Sequence, residues 1–214
     1  MRVMDRMRRS PVTVSRSDTL HHAIKTLETW RIRHLPVVEG DRLVGIISDR
    51  DVKRAAPSPF DLETVEEFIT LTSAVTVKEV MAKDVVTISQ HAPIEEAAVL
   101  MCEKRIGALP VVHDRRLVGI ITETDVLGVL TEMMGASHTA SRVEIEIPAS
   151  PGVLTEVIRI VESQHVEIAS LVTLPAREGA RRLLIMRLRT INADPVIRVL
   201  TERGYPQVVS EFVR

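Results

Sequence analysis

The chain has 214 residues, 45% of them hydrophobic, which is enough to fill one large or two medium-sized cores without disulfides. A formal net charge of -1 and an aromatic content of 2% supply neither the basic patch nor the stacking surface of a nucleic-acid-binding protein. Cys102 is the single cysteine, which excludes an intrachain disulfide and a cysteine-based zinc cluster and favours a cytoplasmic location. No apolar run has the length of a membrane span or a signal peptide, so no membrane association is expected.

An internal repeat organises the first part of the chain. Residues 7–52 align with residues 81–126 at a spacing of 74 without a gap, and 19 of the 46 pairs are identical. Typical composition would give about three identities by chance. The identities cluster in Leu35–Val38, in Arg42–Ile47 and in their counterparts in the second copy. Such a repeat indicates two copies of one supersecondary unit.

Each copy is predicted to fold as β-α-β-β-α. The elements of the first copy are a strand at Val12–Val14, a helix from about Asp18-Thr19, strands at Leu35–Glu39 and Leu43–Ile47 joined by a Gly40-Asp41 turn, and a second helix. In the second copy the strand is Val86–Ile88, Pro93 is a favoured first helical residue, and Asp114-Arg115 is a poorer turn sequence. A unit of this size has little interior of its own, so the two copies are expected to pack into one pseudo-twofold domain.

Composition divides the chain into five segments. The segments are copy one at 1–56, a connector at 57–76, copy two at 77–133, a linker at 134–141 and a further domain at 142–214. Ala55–Pro59 breaks any helix, and Leu62–Leu71 then carries an apolar helical pattern, which predicts a connector that packs. Gly135–Ser141 is small and polar, as linkers are.

The last segment has a different pattern. Val143, Ile145 and Ile147 alternate with acidic residues, as in a half-buried strand. The remaining predicted elements are a helix from Pro151-Gly152 to about Gln164, strands at Ile168–Leu174 and Leu183–Leu188, a helix from Asp194-Pro195 that stops at Gly204, and a strand at Val208–Phe212. The order β-α-β-β-α-β is ferredoxin-like.

The repeat resembles the CBS domain, whose closing signature is an apolar strand followed by Gly-x-x-Ser/Thr-x-x-Asp. Both copies carry it, as Gly45–Asp51 and Gly119–Asp125. The tail resembles an ACT domain, with a candidate ligand loop at Ser150, Pro151, Gly152, Val153 and Leu154. The whole order resembles the acetoin-utilisation accessory proteins of the AcuB type. These resemblances imply an α/β (α+β) protein with a pseudo-twofold pair of CBS modules and a ferredoxin-like ACT domain.

The resemblance to CBS domains also implies a regulatory site for an adenosine nucleotide, namely AMP, ADP or ATP. In that family the base lies between the first strand and the segment that leads into the Pro-Val-Val strand. The implied binding residues in the first copy are Val12, Thr13, Ile32, Arg33, His34, Pro36, Ser48, Arg50 and Asp51. Those in the second copy are Val86, Thr87, Ile106, Gly107, Ala108, Pro110, Thr122 and Asp125.

The residue types suit such a ligand. An ionised Asp51 or Asp125 can accept hydrogen bonds from both ribose hydroxyls, with Ser48 or Thr122 beside it at the start of a helix. Arg33-His34 in the first copy corresponds to Gly107-Ala108 in the second, so phosphate-neutralising groups are richer in the first copy and unequal sites are expected. The basic opening residues, Arg8 among them, are a solvated arm or a further phosphate contact.

Other interpretations were weighed beside this one. Ser-x-x-Asp also resembles a helix capping box, which would need no ligand. No nucleophile with a base, phosphate loop or metal-ligand spacing is present in the sequence, so neither an enzyme nor a metal protein is expected. The favoured function is therefore a ligand sensor that acts by population shift, forms a homodimer through its CBS or ACT domains and regulates an unknown protein target. The alternative is an assembly scaffold without a nucleotide response.

Overall fold

The computed structural model describes residues 1–58, 64–135, 141–176 and 180–208. The chain divides into two compact units, Met1–Val126 and Leu127–Arg214. Helices and strands alternate in both units, which confirms the predicted α/β class.

The first unit contains the two copies of the repeat. A short 3-10 helix at Val3–Asp5 precedes β1. The elements that follow are β1 (Arg8–Arg9), β2 (Val14–Ser15), α1 (Leu20–Trp30), β3 (His34–Glu39), β4 (Arg42–Ser48), α2 (Asp49–Ala55), α3 (Val65–Ala74), α4 (Val77–Val80), β5 (Ile88–Ser89), α5 (Ile94–Lys104), β6 (Ala108–His113), β7 (Arg116–Thr122) and α6 (Glu123–Met133), the last of which continues into the second unit. The first strand of each copy lies about two residues later than predicted, because Val12 and Val86 precede the residues that pair with β3 and β6. Pro93 caps α5 instead of starting it.

One sheet joins the two copies. Its strand order is β2-β3-β4-β7-β6-β5, and β1 also pairs with β7. The strand pairs of the copies share one register, since Leu35 pairs with Ile47 and Leu109 pairs with Ile121. This arrangement is the expected pseudo-twofold domain.

Each copy buries the apolar face of its first helix against its central strands. In the first copy Leu20, Ala23 and Leu27 recur at helical spacing and are buried against Leu35 and Ile47. The second copy buries the equivalent set of residues, which are Ile94, Ala97, Met101, Leu109 and Ile121. The repeat of hydrophobic positions in the sequence is therefore a repeat of cores.

The N-terminal segments of the copies are exchanged. Val77, the first residue of the second copy, is fully buried in the core of the first copy, and its N–H donates to the Asp18 carbonyl. Its counterpart Val3 is also fully buried and donates to the Ala92 carbonyl of the second copy. A division of the chain into modules at 1–56 and 77–133 therefore separates each core from one of its own segments.

The β3–β4 and β6–β7 hairpin turns both use the left-handed region of the backbone, but with different residues. Gly40 has φ +63°, the left-handed region that glycine enters without steric cost. In the second copy Asp114 and Arg115 both have positive φ, 48° and 66°. The turn sequence that was predicted to be poorer is thus accommodated by two side-chain-bearing residues in the left-handed region.

The second unit contains a smaller antiparallel sheet. Its elements are β8 (Ser141–Pro148), α7 (Val153–Ser163), β9 (Ile168–Pro175), β10 (Arg181–Leu188) and α8 (Asp194–Glu202), and the strand order is β8-β10-β9. Val143, Ile145 and Ile147 of β8 are buried with α7 and α8 residues in one core. Gln207 bridges to Ile145, so the chain after α8 lies on the free edge of β8, as a ferredoxin-like fold requires. The rest of the predicted strand Val208–Phe212 and the linker residues 136–140 lie outside the described residues.

Candidate functional site

The two signature aspartates hold matching positions at helix starts. The hydroxyl and N–H of Ser48 donate to Asp51 Oδ2 over 2.6 and 2.9 Å, and the Asp51 N–H donates to the Ser48 hydroxyl. Thr122 and Asp125 form the same three bonds, with 2.6 and 2.8 Å to Oδ2. The capping-box interpretation thus has geometric support. It uses Oδ2 alone, and Oδ1 of each carboxylate bonds to no described residue, so capping and ligand binding are compatible.

Asp51 lies at a cavity of about 410 Å³, called the first cavity below. Ligand cavities generally measure about 300–1,000 Å³, so this one can hold a small molecule. Its walls carry both signs of charge and an apolar strip. The lining residues are Arg33, His34, Ile46, Ser48, Asp49, Arg50, Asp51, Arg54, Ala82, Asp84, Val85, Val86, Arg105, Ile106, Gly107, Ala108 and Glu123.

Asp125 lies at a second cavity, of about 250 Å³. The lining residues are Arg8, Pro11, Val12, Arg31, Ile32, Arg33, His34, Ile120, Thr122, Thr124 and Asp125. All eleven are the counterparts, 74 residues apart, of residues in the first cavity. Arg8 stands where the first cavity has Ala82, and Thr124 stands where it has Arg50. The two cavities are therefore related by the pseudo-twofold axis but differ in charge.

Each cavity combines residues of both copies. The first cavity joins Ser48 and Asp51 of copy one to Val86 and Ile106 of copy two, and the second joins Thr122 and Asp125 to Val12 and Ile32. Arg33 and His34 line both cavities, whereas Arg50 lines the first cavity alone, so unequal sites stay a prediction. Each candidate site is built by the pair of copies.

Four of the implied binding residues lie elsewhere. Thr13, Pro36, Thr87 and Pro110 line neither cavity. The two prolines are buried inside β3 and β6, each between two core residues of its strand, which are Leu35 and Val37 in β3 and Leu109 and Val111 in β6. The other thirteen implied residues line one cavity or both.

The structure adds cavity residues that sequence reasoning did not select as site residues. The charged residues among them are Arg31, Asp49, Arg54, Asp84, Arg105 and Glu123, together with Arg8, for which a phosphate contact is one of the two interpretations given above. Arg31 and Arg105 belong to the identical pairs of the repeat, so a signal for them was present. Arg8 reaches the second cavity because β1 pairs with β7, with Arg8 opposite Ile120.

His34 is a partly buried titratable group between the cavities. Burial is the main cause that lowers its pKa from 6.5, and Arg33 lowers it further. Asp49, Glu123 and Asp51 act in the opposite direction but do not outweigh burial. His34 is therefore neutral at pH 7.

This gives a pH dependence with a defined sign. Because the folded-state pKa is lower than the unfolded one, the contribution of His34 to stability is complete above pH 6.5 and is lost as the pH falls below it. His34→Ala, which installs the residue of the second copy, should make the free energy of unfolding less dependent on pH between 7.5 and 5.5. Urea unfolding at both pH values measures this. An unchanged pH dependence in the variant contradicts the assignment.

Arg31 and Arg105 occupy strained positions beside the cavities. They follow α1 and α5 as C-cap residues in the left-handed region, with φ of 50° and 54°. A residue with a Cβ costs about 1–2 kcal/mol in this region, and glycine is the usual C-cap there. Both copies nevertheless hold an arginine, and each arginine lines a cavity. We therefore expect the guanidinium group of each arginine to have a role in its cavity that offsets the strain.

Arg31→Gly and Arg105→Gly should therefore separate stability from binding. Each substitution is expected to raise the free energy of unfolding by about 1 kcal/mol. Each is also expected to lower the affinity for ADP of the cavity that the arginine lines. Urea unfolding and calorimetric titration measure the two effects. Arg115→Gly is the matched control, since Arg115 has φ +66° but lines neither cavity. Tighter or unaltered ADP binding in both cavity variants would refute the role of these arginines.

The candidate loop of the second unit is only partly exposed to a cavity. A groove along α7 is lined by Gly152, Thr155, Glu156, Arg159, Ile160, Ser163 and Arg203. Gly152 caps α7 with φ +87°, while Val153 and Leu154 pack against the core. Ser150, Pro151, Val153 and Leu154 do not line this groove. Gly152 is thus the one residue of the predicted loop at the groove.

The described ranges hold neither a metal-ligand cluster nor a membrane-spanning helix. No group of three or more His, Cys, Asp or Glu side chains could hold a metal ion there. None of the helices in these ranges is both long and apolar enough to cross a bilayer.

Comparisons with known proteins concern the first unit. A CBS domain-containing protein from Dictyostelium discoideum is 38% identical over 130 residues, which are 60% of this chain and 90% of that protein. The inosine-5'-monophosphate dehydrogenase of Methanocaldococcus jannaschii is 43% identical over 118 residues, which are 54% of this chain but 21% of the enzyme. Most of that enzyme therefore lies outside the matched region.

Solved structures agree in the same region. A structure described as a candidate acetoin utilization protein (AcuB) from Vibrio cholerae is 35% identical, with a TM-score of 0.53, and the match covers 64% of this chain and 98% of that one. A CBS domain pair in complex with 5'-methylthioadenosine and S-adenosyl-L-methionine is 30% identical, with a TM-score of 0.51 and coverage of 61% and 95%. CBSX2 in complex with AMP is 27% identical, with a TM-score of 0.51 and coverage of 60% and 95%.

The family assignment follows from the repeat itself. The CBS domain model matches residues 3–58 and 77–132, which are the two copies described above. CBS pairs are regulatory ligand-binding modules, and this chain belongs to the CBS-domain family.

Proposed function

We propose that this protein is a regulatory sensor that binds an adenosine nucleotide, AMP, ADP or ATP, in the cavities between its CBS modules. The observation that carries the proposal is the composition of the cavities. Each cavity is lined by an aspartate whose Oδ1 bonds to no described residue, by an apolar segment of the other copy and by arginines. Related CBS pairs have been solved with AMP, and with 5'-methylthioadenosine and S-adenosyl-L-methionine, which share the adenosine group.

Each part of a nucleotide has a partner of suitable chemistry. Oδ1 of Asp51 or Asp125 can accept the ribose hydroxyls, while Oδ2 stays in its capping box. Ile106 in the first cavity and Ile32 in the second offer apolar surface to the faces of the base. Arginine side chains supply the forked donors that phosphate oxygens accept.

A ligand in either cavity contacts both copies at once. It therefore stabilises the relative arrangement of the modules that brings these residues together, and its differential affinity sets the size of the shift. This is the step by which we expect nucleotide binding to alter the interaction with a protein target. No catalytic group is assigned to the cavities.

The second unit is proposed to act as an ACT-like domain. Its ferredoxin-like strand order supports this, together with the glycine-capped turn into α7. Its proposed role is homodimerisation, the binding of a second small ligand, or both. A place in acetoin utilisation and a cytoplasmic location remain proposals, on the likeness to AcuB and on the cysteine content.

Calorimetric titration of the full chain with adenosine, AMP, ADP, ATP and S-adenosylmethionine tests the proposal. We expect saturable binding of at least one adenosine compound, and weaker binding of uridine 5'-diphosphate, which has the same ribose and phosphates but a smaller base. Absence of heat with every adenosine compound, combined with an unchanged dimer mass in sedimentation, would favour the assembly scaffold instead.

A further inference from the structure

The two cavities have one wall in common. Among the described residues, Arg33 and His34 line both the first and the second cavity. They lie at the entrance to β3, and the Arg33 carbonyl accepts the N–H of Asp49 at the start of α2. This segment therefore lies between two candidate binding sites that are otherwise built from different residues.

The shared wall arises from a difference between the copies. The counterparts of Arg33 and His34 are Gly107 and Ala108, which bring no polar side chain. A Cβ placed on Gly107 would lie 3.2 Å from His34 Cε1, so His34 occupies the space beside this glycine. The two copies therefore differ in sequence at the segment of the first copy that lines both cavities.

Arg33 carries the positive charge of this wall. It forms no salt bridge with any residue in the described part of the chain, and His34 is neutral at pH 7 because burial lowers its pKa. The other arginines are divided, with Arg50, Arg54 and Arg105 lining the first cavity and Arg8 and Arg31 the second. A single guanidinium has one planar fork of donors, so it cannot pair fully with phosphate groups on both sides at once.

We propose that Arg33 couples the two cavities unfavourably for ligands that carry phosphate. With ADP in one cavity and Arg33 turned toward its phosphates, the other cavity loses this cation. An adenosine compound without phosphate does not pair with Arg33, so it binds to each cavity independently. This inference rests on the proposed function, and by linkage the coupling acts equally in both directions.

The coupling is measured by comparing the ADP affinities of the unmodified chain with the affinity of each cavity in isolation. Asp51→Ala and Asp125→Ala each remove one ribose contact, so ADP titration of these variants gives the affinity of the other cavity in isolation. In the unmodified chain we expect the second ADP to bind at least about tenfold more weakly than its isolated value, within the range of known couplings. For 5'-methylthioadenosine, which has no phosphate, the two steps should equal the isolated values.

Arg33→Gly, which installs the counterpart residue, and Arg33→Gln, which keeps the side-chain length, should both abolish the ADP coupling. The proposal is overturned if the unmodified chain binds two ADP molecules with their isolated affinities. It is also overturned if the coupling persists in both Arg33 variants, or if 5'-methylthioadenosine shows the same coupling. If no adenosine compound binds, the proposed function itself fails, and this outcome is distinct from the others.

Discussion

Asp125→Ala is expected to lower the affinity of the second cavity for ADP by a factor of about 100 or more. A hydrogen bond to a charged group contributes about 1.5–3 kcal/mol, and a carboxylate that holds both ribose hydroxyls makes two of them. Since about 1.4 kcal/mol corresponds to a factor of ten, the loss of both bonds gives this magnitude. Asp51→Ala should have the same effect on the first cavity, because the two aspartates have the same local geometry. Calorimetric titration measures both.

These substitutions also remove a capping acid, so a control must separate folding from binding. Glu79 provides it, since its carboxylate caps Thr76 at the start of α4 as Asp125 caps Thr122, and it lines neither cavity. Glu79→Ala should bind ADP like the unmodified chain. If Asp51→Ala and Asp125→Ala also bind ADP normally, the aspartates are capping residues only and the ribose assignment is wrong.

Gly119→Val is expected to destabilise the first unit by about 2 kcal/mol, the usual cost of overpacking. A Cβ at Gly119 would lie 2.6 Å from Met7 Sδ and 3.0 Å from the Arg8 carbonyl oxygen. The methionine can move, but the carbonyl belongs to β1, which pairs with β7 at this point. The substitution should therefore displace Arg8 from the second cavity and lower the affinity of this cavity for ADP. Urea unfolding and titration measure the two effects.

The repeat offers a matched variant and a control. Gly45→Val places the same strain on Met81 and Ala82, beside the first cavity, and should cost similar stability without removing a cation. Gly128→Ala in α6 meets nothing within 4 Å and should stabilise the helix. Unaltered stability in both valine variants would show that the exchanged segments do not pack as described.

The repeat made most of the first unit predictable. Identical apolar residues at a fixed spacing predicted the helices, the paired strands and the pseudo-twofold sheet, because burial repeats wherever the hydrophobic pattern repeats. The exchange of Val3 and Val77 between the copies was not predicted, since it depends on contacts between segments far apart in sequence. A ligand between the modules was expected from the sequence, but its binding residues were grouped by copy, whereas each cavity combines residues of both copies.

Local chemistry predicted part of the site. Asp51 and Asp125 stood out because a carboxylate after Gly-x-x-Ser/Thr is a specific pattern. Pro36 and Pro110 follow from the family resemblance alone, and in the structure they are buried in β3 and β6 and line neither cavity. Arg31 and Arg105 were matched between the copies, but the positive φ that makes their retention informative is visible only in the structure.

Hydrogen exchange of the full chain, with and without saturating ADP, tests the central claim most directly, namely that a nucleotide binds between the modules and stabilises one arrangement. The account predicts slower exchange in residues 31–36, 46–51, 105–110 and 120–125, which contribute to the two cavities from both copies. Unchanged exchange in all four segments at a saturating concentration of ADP would contradict it.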